Sequence, residues 1–292
     1  MIRDTTGEKM FHMINHIFMT LLIVLMIYPF WYIVMYSLSN SKLAAAGGLF
    51  LVPKGFSLES YKTMIGNVSF LSGFKVSAIV TVCGTMFATF FTATTAYAIS
   101  KKRLRARKFF TFLILFTMLF HGGMIPTYLL VKQLGLLDSY LALILPPAIG
   151  AWNILVMRSF FVGIPEELEE AAKMDGASDL TVFFRVVLPL SKAVLATVGL
   201  FLAVAYWNDF FSTILYITDK NKWALQAVLR DIINNAATTL SSQGISLGFQ
   251  QEISESTVKM ASIVVATLPI LMVYPFIQKY FVKGALIGSV KG

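Results

Sequence analysis

The chain has 292 residues, 57% of them hydrophobic and only 13% charged, with a formal net charge of +9 and a mean hydropathy of +0.74. A soluble domain devotes roughly a quarter of its residues to charge, so this composition excludes a water-exposed globule and selects a chain whose apolar side chains face lipid. A single cysteine, Cys83, excludes an internal disulfide, the three histidines show no metal-binding spacing, and the basic clusters between apolar runs match a cytoplasmic membrane face and not a nucleic-acid motif.

Six apolar stretches are each long enough for the ~20 residues that cross a bilayer. The first covers residues 14–38, with an interruption expected at Tyr28-Pro29. It is too long for a signal-peptide core and lacks a cleavage pattern, so it reads as retained. His12 and His16, just before it, read as interfacial residues. Residues 39–71 form a loop with a short helix near 58–65. The second span covers 73–100 and is rich in Thr and small residues, which let helices approach closely in lipid. Next comes Lys101–Lys108, with six basic residues and no acid. The third span runs from 109 to about 130 and ends near the His121-Gly122-Gly123 break and Pro126. The fourth, 140–161, contains Pro146-Pro147 and Gly150 and is expected to be kinked or discontinuous. Residues 162–189 are polar, 190–217 form the fifth span, 218–256 a polar loop, and 258–281 the sixth span before a basic tail. The predicted architecture is therefore all-α: a terminal segment 1–13, one membrane domain 14–282 and a tail 283–292. With six spans both ends share a side, and that side collects 15 of the 24 Lys and Arg. The positive-inside rule then places both termini and the 162–189 loop in the cytoplasm.

That loop carries the most chemistry. Pro165 suits a first helical turn, and Glu166, Glu167, Glu169 and Glu170 favour the positive end of a helix. Leu168, Ala171, Ala172 and Asp175 recur at three and four, giving a small, partly apolar face. Gly176 stops the helix, and a second short helix starts after Ser178, anchored by Phe183, Phe184, Val186 and Val187. Two short helices joined by a glycine turn can offer a small-residue face to another protein. The alternative is an amphipathic segment lying on lipid, which the four glutamates oppose because an anionic surface repels them.

Glu170-Ala171-Ala172, Asp175-Gly176-Ala177, Phe183 and Leu188-Pro189 resemble the EAA motif of binding-protein-dependent ABC importer permeases. Segments 122–146 and 279–292 resemble the carbohydrate-uptake branch of that family, the MalG-like group and within it the LplC/YtcP type. The resemblance covers nearly the whole chain. It implies the type I importer permease fold with a cytoplasmic coupling helix. It also implies a second permease subunit, two ATP-binding subunits and an extracellular binding protein, lipid-anchored or periplasmic, in a bacterial plasma membrane. Glu170, Ala171, Ala172, Asp175, Gly176, Ala177 and Phe183 would then couple to the ATPase. The chain has no Walker A pattern, so no cofactor is expected on it, and ATP with Mg belongs to the partner.

A sugar path needs aromatic faces and hydroxyl-binding groups inside the membrane. Tyr206, Trp207, Asn208 and Asp209 in the fifth span offer both, and Trp152-Asn153 in the fourth is a second choice. The competing reading makes these residues interfacial anchors and helix bridges. Another solute, such as a peptide or polyamine, is an alternative cargo. An ion-coupled secondary transporter would need more buried acids and repeated halves, and a membrane-embedded enzyme a histidine or cysteine partner for the loop acids.

Overall fold

The computed structural model describes residues 6–242, 256–273 and 275. Regular structure among the described residues is helical, with one isolated bridge, Ser39 to Phe56. The chain divides into two compact units, one of residues up to Val68 with Asp231–Leu268, the other of Ser69–Arg230 with residues from Pro269 on.

In the first unit, α1 (Thr6–Ser37) is a single helix of 32 residues, roughly 48 Å long at 1.5 Å per residue. Pro29 lies inside it, so the expected interruption at Tyr28-Pro29 is absent. A proline removes one backbone bond, and a continuous apolar run either side keeps the rest of the ladder intact. Its most apolar window is uncovered by the chain itself. The following segment adds α2 (Ser41–Ala44), which the sequence did not signal, and α3 (Glu59–Ile65), which it did. Phe50 is fully buried against Tyr32 and Tyr36, with ring centroids at 5.2 and 4.9 Å, and Trp31 Nε1 donates to the Leu51 carbonyl at 2.9 Å.

The second unit is built on α4 (Val68–Ser100). Its small residues admit close neighbours, and Val76, Val80, Ala88 and Ala96 enter a core with Ile154, Met157, Val198 and Leu202. The third predicted span is two helices, α5 (Arg107–Leu119) and α6 (Met124–Gln133), turned by 113° where Gly123 adopts φ +91°. The fourth divides as expected around Pro146-Pro147, into α7 (Tyr140–Ile144) and α8 (Ala151–Val162). Next come α9 (Glu166–Met174), α10 (Asp179–Val182), a π-turn (Phe183–Val187) and α11 (Leu188–Leu190). The chain then turns by 83° into α12 (Lys192–Asn208), which ends before α13 (Phe211–Tyr216). α8 packs on α5 and α12, and α13 on α6 and α7.

The region read as a polar loop after residue 217 contains α14 (Leu225–Ser242). Its start is fixed on α4: Ser77 Oγ accepts from the Leu225 N–H at 2.8 Å, and Gly73 leaves no room for a Cβ beneath Leu225 and Val228. The last of the described helices, α15, covers Ser256–Val273. The remainder of the predicted sixth span and the basic tail lie outside the described residues. α1, α4 and α15 are long and apolar enough to cross a membrane unbroken, and the two sharply bent pairs bring the possible crossings to five. The fourth predicted span is divided at its prolines into helices of 5 and 12 residues, of which α8 is apolar but shorter than a full crossing.

Candidate functional site

The 162–189 loop forms the two helices and glycine turn that its residues specify. Pro165 stands one position earlier than expected, as the N-cap of α9 with φ −56° and ψ 131°. Its ring prevents the preceding strand of chain from continuing as helix, and Glu166, Glu167 and Glu169 fill the first turn. Asp175 closes α9, and Gly176 takes φ +81°, a left-handed conformation that costs other residues about 1–2 kcal/mol. Ala177 N–H returns to the Ala172 carbonyl at 3.0 Å, and Ser178 Oγ accepts from Thr181 N–H at 3.3 Å, capping α10. Val182, Phe183 and Val187 are buried and tie the second helix to the bundle. Phe183 meets the ring of Tyr97, near the end of α4, at 5.0 Å.

The basic run after α4 lies against this loop. Lys101 Nζ pairs with Glu169, Lys102 with Glu166 at 2.9 Å and Arg103 with Asp179 at 2.5 Å, while Lys173 reaches the same Asp179 at 3.2 Å. Lys101 and Glu169 are largely buried, at 18% and 11% side-chain exposure, and the Lys101 ammonium also lies 4.3 Å from the Tyr97 ring centroid. The Lys102 and Arg103 pairs are exposed, and Lys173 is partly covered. Hydrogen bonds from Arg103 and then Lys173 hold the Asp179 carboxyl below the usual carboxylate range, and Lys102 does the same for Glu166. The Asp179 hydrogen bond in turn raises the Arg103 guanidinium.

These contacts divide α9 into two faces. Glu169 is buried, with Ala172 and Lys173 partly covered beside it, whereas Glu167, Leu168, Glu170, Ala171, Met174, Asp175 and Gly176 are exposed. Met174 is 89% exposed, Leu180 of α10 70% and Leu168 45%. Of the residues singled out in sequence, Glu170, Ala171, Asp175 and Gly176 lie on the open surface, Ala172 and Ala177 pack partly into the core, and Phe183 is internal.

The aromatic-polar cluster of the fifth span separates into distinct environments. Tyr206 is buried, its ring against Gly84 of α4 and its hydroxyl donating to the Ile144 carbonyl at 2.8 Å. Trp207 is buried edge-to-face against Phe74, centroids 5.6 Å apart. Asn208 is exposed and approaches Gln226 of α14 at 3.5 Å, and Asp209 accepts from the Ser212 N–H at 3.1 Å, starting α13. Tyr206, Asn208 and Asp209 share an open cavity of about 320 Å³ with Pro147, Leu202 and Ala205. Trp152 is 60% exposed in the first turn of α8, and Asn153 follows it, half-buried. Neither lines that cavity.

Lys101, Arg103, Glu169 and Asp179 escaped sequence reading as a set. A signal existed: the basic run carries no acid of its own, the loop carries an excess, and charge counting puts both on one side. Which cation meets which acid, 101 with 169, 102 with 166 and 103 with 179, was invisible because it depends on the turn after Ser100.

A family model described as the inner membrane component of binding-protein-dependent transport systems matches residues 63–286. The protein LplC of Bacillus subtilis (strain 168) is 47% identical over all of this chain and 98% of its own length. A polygalacturonan/rhamnogalacturonan transport system permease protein of the same strain, YtcP, is 44% identical over 98% of this chain and 99% of its own. Among solved structures, a bacterial ABC transporter involved in the import of the acidic polysaccharide alginate contains a chain that superposes with a TM-score of 0.85 at 33% identity. That match covers 96% of this chain and 100% of the other. The EAA-type loop, the broken helical spans and these relatives agree, and the chain belongs to the inner membrane components of binding-protein-dependent transport systems, among the sugar-importing ABC permeases of type I fold.

Proposed function

We propose that this chain is one of two permease subunits that together form the membrane path for an oligosaccharide. The sugar is delivered by an extracellular binding protein, and two ATP-binding subunits, which hold the ATP and Mg, drive transport from the cytoplasm. Relatives named for polygalacturonan, rhamnogalacturonan and alginate support a fragment of an acidic polysaccharide as the cargo. The protein is a multi-pass component of the bacterial plasma membrane, and ATP hydrolysis resides on separate subunits. Both termini lie in the cytoplasm in this reading.

The observation that carries the proposal is the open face of α9 and α10. Leu168, Met174 and Leu180 stand out from the loop, with small Ala171 and Gly176 between them. Fully covering one such side chain is worth about 1.5–3 kcal/mol, and small neighbours let another backbone come close. A cleft on an ATPase subunit suits this surface. Glu170 and Asp175 on the same face supply charges for specificity. On the membrane side, the cavity edged by Asn208 and Asp209 offers polar atoms for hydroxyls, and we assign it to the sugar path. Trp152 and Asn153 at the start of α8 stand as a second contact point. Tyr206 and Trp207 shape that region mainly by packing.

Gly176→Asp tests the coupling role. Nothing lies within 4 Å of a Cβ at Gly176, and Asp tolerates a left-handed φ better than most residues, so the fold survives. The new carboxylate sits in the docking surface beside Asp175, where an unpaired buried charge costs about 2–5 kcal/mol. Normal membrane abundance with substrate-stimulated ATPase reduced at least about tenfold is expected. Undiminished stimulation would remove the loop from coupling.

A further inference from the structure

Glu169 is the one fully charged side chain buried among the described residues. It sits on the inner face of α9, next in sequence to Glu170, which points outward. A carboxylate leaves water only at considerable cost unless a partner and further contacts replace its hydration. Here the partner is Lys101, the first residue after α4, itself held over the Tyr97 ring. Tyr97 in turn touches Phe183 at 5.0 Å and Phe161 at 6.2 Å, the latter near the end of α8. The neighbouring pair Lys102–Glu166 is 78% and 63% exposed, and pairs of that kind contribute little because water and salt screen them.

The loop is covalently continuous with α8 before it and with the turn into α12 after it. Both neighbours pack on α4, the longest helix of the second unit, α8 through Arg158 Nε donating to the Ile99 carbonyl at 3.3 Å and α12 through Tyr206 against Gly84, but α9 itself has its buried tie to the end of α4 in Lys101–Glu169. We infer that the Lys101–Glu169 pair is the joint through which displacement of α9 is delivered to α4. The two adjacent glutamates therefore have separate jobs: Glu170 faces the ATPase, and Glu169 fastens the helix to its own bundle. Lys101 and Glu169 are positioning residues, and their role rests on the reading of the loop as the coupling element.

The test uses the assembled transporter reconstituted with its partners, with uptake per ATP hydrolysed and hydrogen exchange over residues 166–174 as readouts. Glu169→Gln keeps the size of the side chain and removes its charge. It should lower uptake per ATP at least about tenfold and speed exchange across α9 alone. Lys101→Arg, which keeps the charge, should preserve both, and Lys102→Gln should leave uptake per ATP unchanged. An unaltered coupling ratio in Glu169→Gln overturns the assignment. If that variant fails to assemble, exchange is measured on the permease in detergent. Acceleration confined to 166–174 supports the joint; unchanged exchange, or acceleration spread over α4 and α8, overturns it. If Gly176→Asp decouples and Glu169→Gln does not, the joint alone falls. If neither decouples, the coupling reading falls with it.

Discussion

At the scale of single residues, Gly84 and Tyr206 show how much of this bundle depends on the absence of a methyl group. A Cβ at Gly84 would stand 2.8 Å from two carbons of the Tyr206 ring, and that ring is anchored at its far end by the hydroxyl bond to Ile144. The ring has nowhere to retreat. Gly84→Ala should therefore destabilise the protein by about 1–3 kcal/mol, seen as a lower melting temperature in detergent. Gly122→Ala, where no atom lies within 4 Å, is the control and should melt unchanged. The sequence marked residues 73–100 as a closely packed span because of their small side chains, and that reading holds. It offered Tyr206 as a sugar-stacking ring, and the structure gives that ring a packing surface and a backbone partner at the edge of the cavity. Residue type alone does not distinguish the two uses, since both need an aromatic body with a polar tip.

Among elements, the coupling loop was legible in detail and its fastening was not. Pro165, the glutamates, Gly176 and Ser178 each act within a few residues, so local chemistry specifies α9 and α10. The ion pairs join positions 68 and 76 residues apart and depend on tertiary placement. The same distinction explains the helix breaks. Pro146-Pro147 removes two adjacent N–H donors and Gly123 turns the backbone to φ +91°, so both spans break, while Pro29 removes one donor and α1 continues. The helix α14 was missed because its later half reads as Asn, Ala, Thr and Ser, and its start depends on Ser77 from α4. The depressed carboxyls give the loop a predictable pH response. Glu166 and Asp179 titrate below their ordinary range when docked, so their contribution is present above that range and is lost as pH falls through the lowered values. Hydrogen exchange over residues 166–182, corrected for its intrinsic pH dependence, should stay constant from pH ~8 to ~5 and accelerate below about 4.

On the scale of the whole molecule, charge decides which side is which. Three of the six cations of 101–108 pair with the acidic loop, and the proposal that this side is cytoplasmic rests on the positive-inside rule. Arg105 is exposed within the cluster and Cys83 supplies the native thiol. In a Cys83→Ser background, Arg105→Cys should react with a membrane-impermeant maleimide in inside-out vesicles and stay unlabelled in intact cells; the reverse pattern would invert the topology. Composition and apolar run length were enough to read an all-helical membrane chain, because lipid enforces helices wherever backbone is exposed to it, but not to place the breaks in those helices. The opposite end of the second unit holds a different kind of knot. Asp138, at φ +57°, donates its N–H to the Tyr216 carbonyl at 3.0 Å and accepts from the Thr218 and Asp219 N–H groups at 2.5 and 3.0 Å. Those partners are 80 and 81 positions further along the chain. At about 5–20 residues per second of synthesis, Asp138 emerges roughly 4–16 s before the groups that satisfy it. The Asp138 carboxylate is open to water, which satisfies it during that interval. The turn that ties residue 138 to residues 216–219 therefore closes only after residue 219 has been made, which makes it a late event in the building of this bundle.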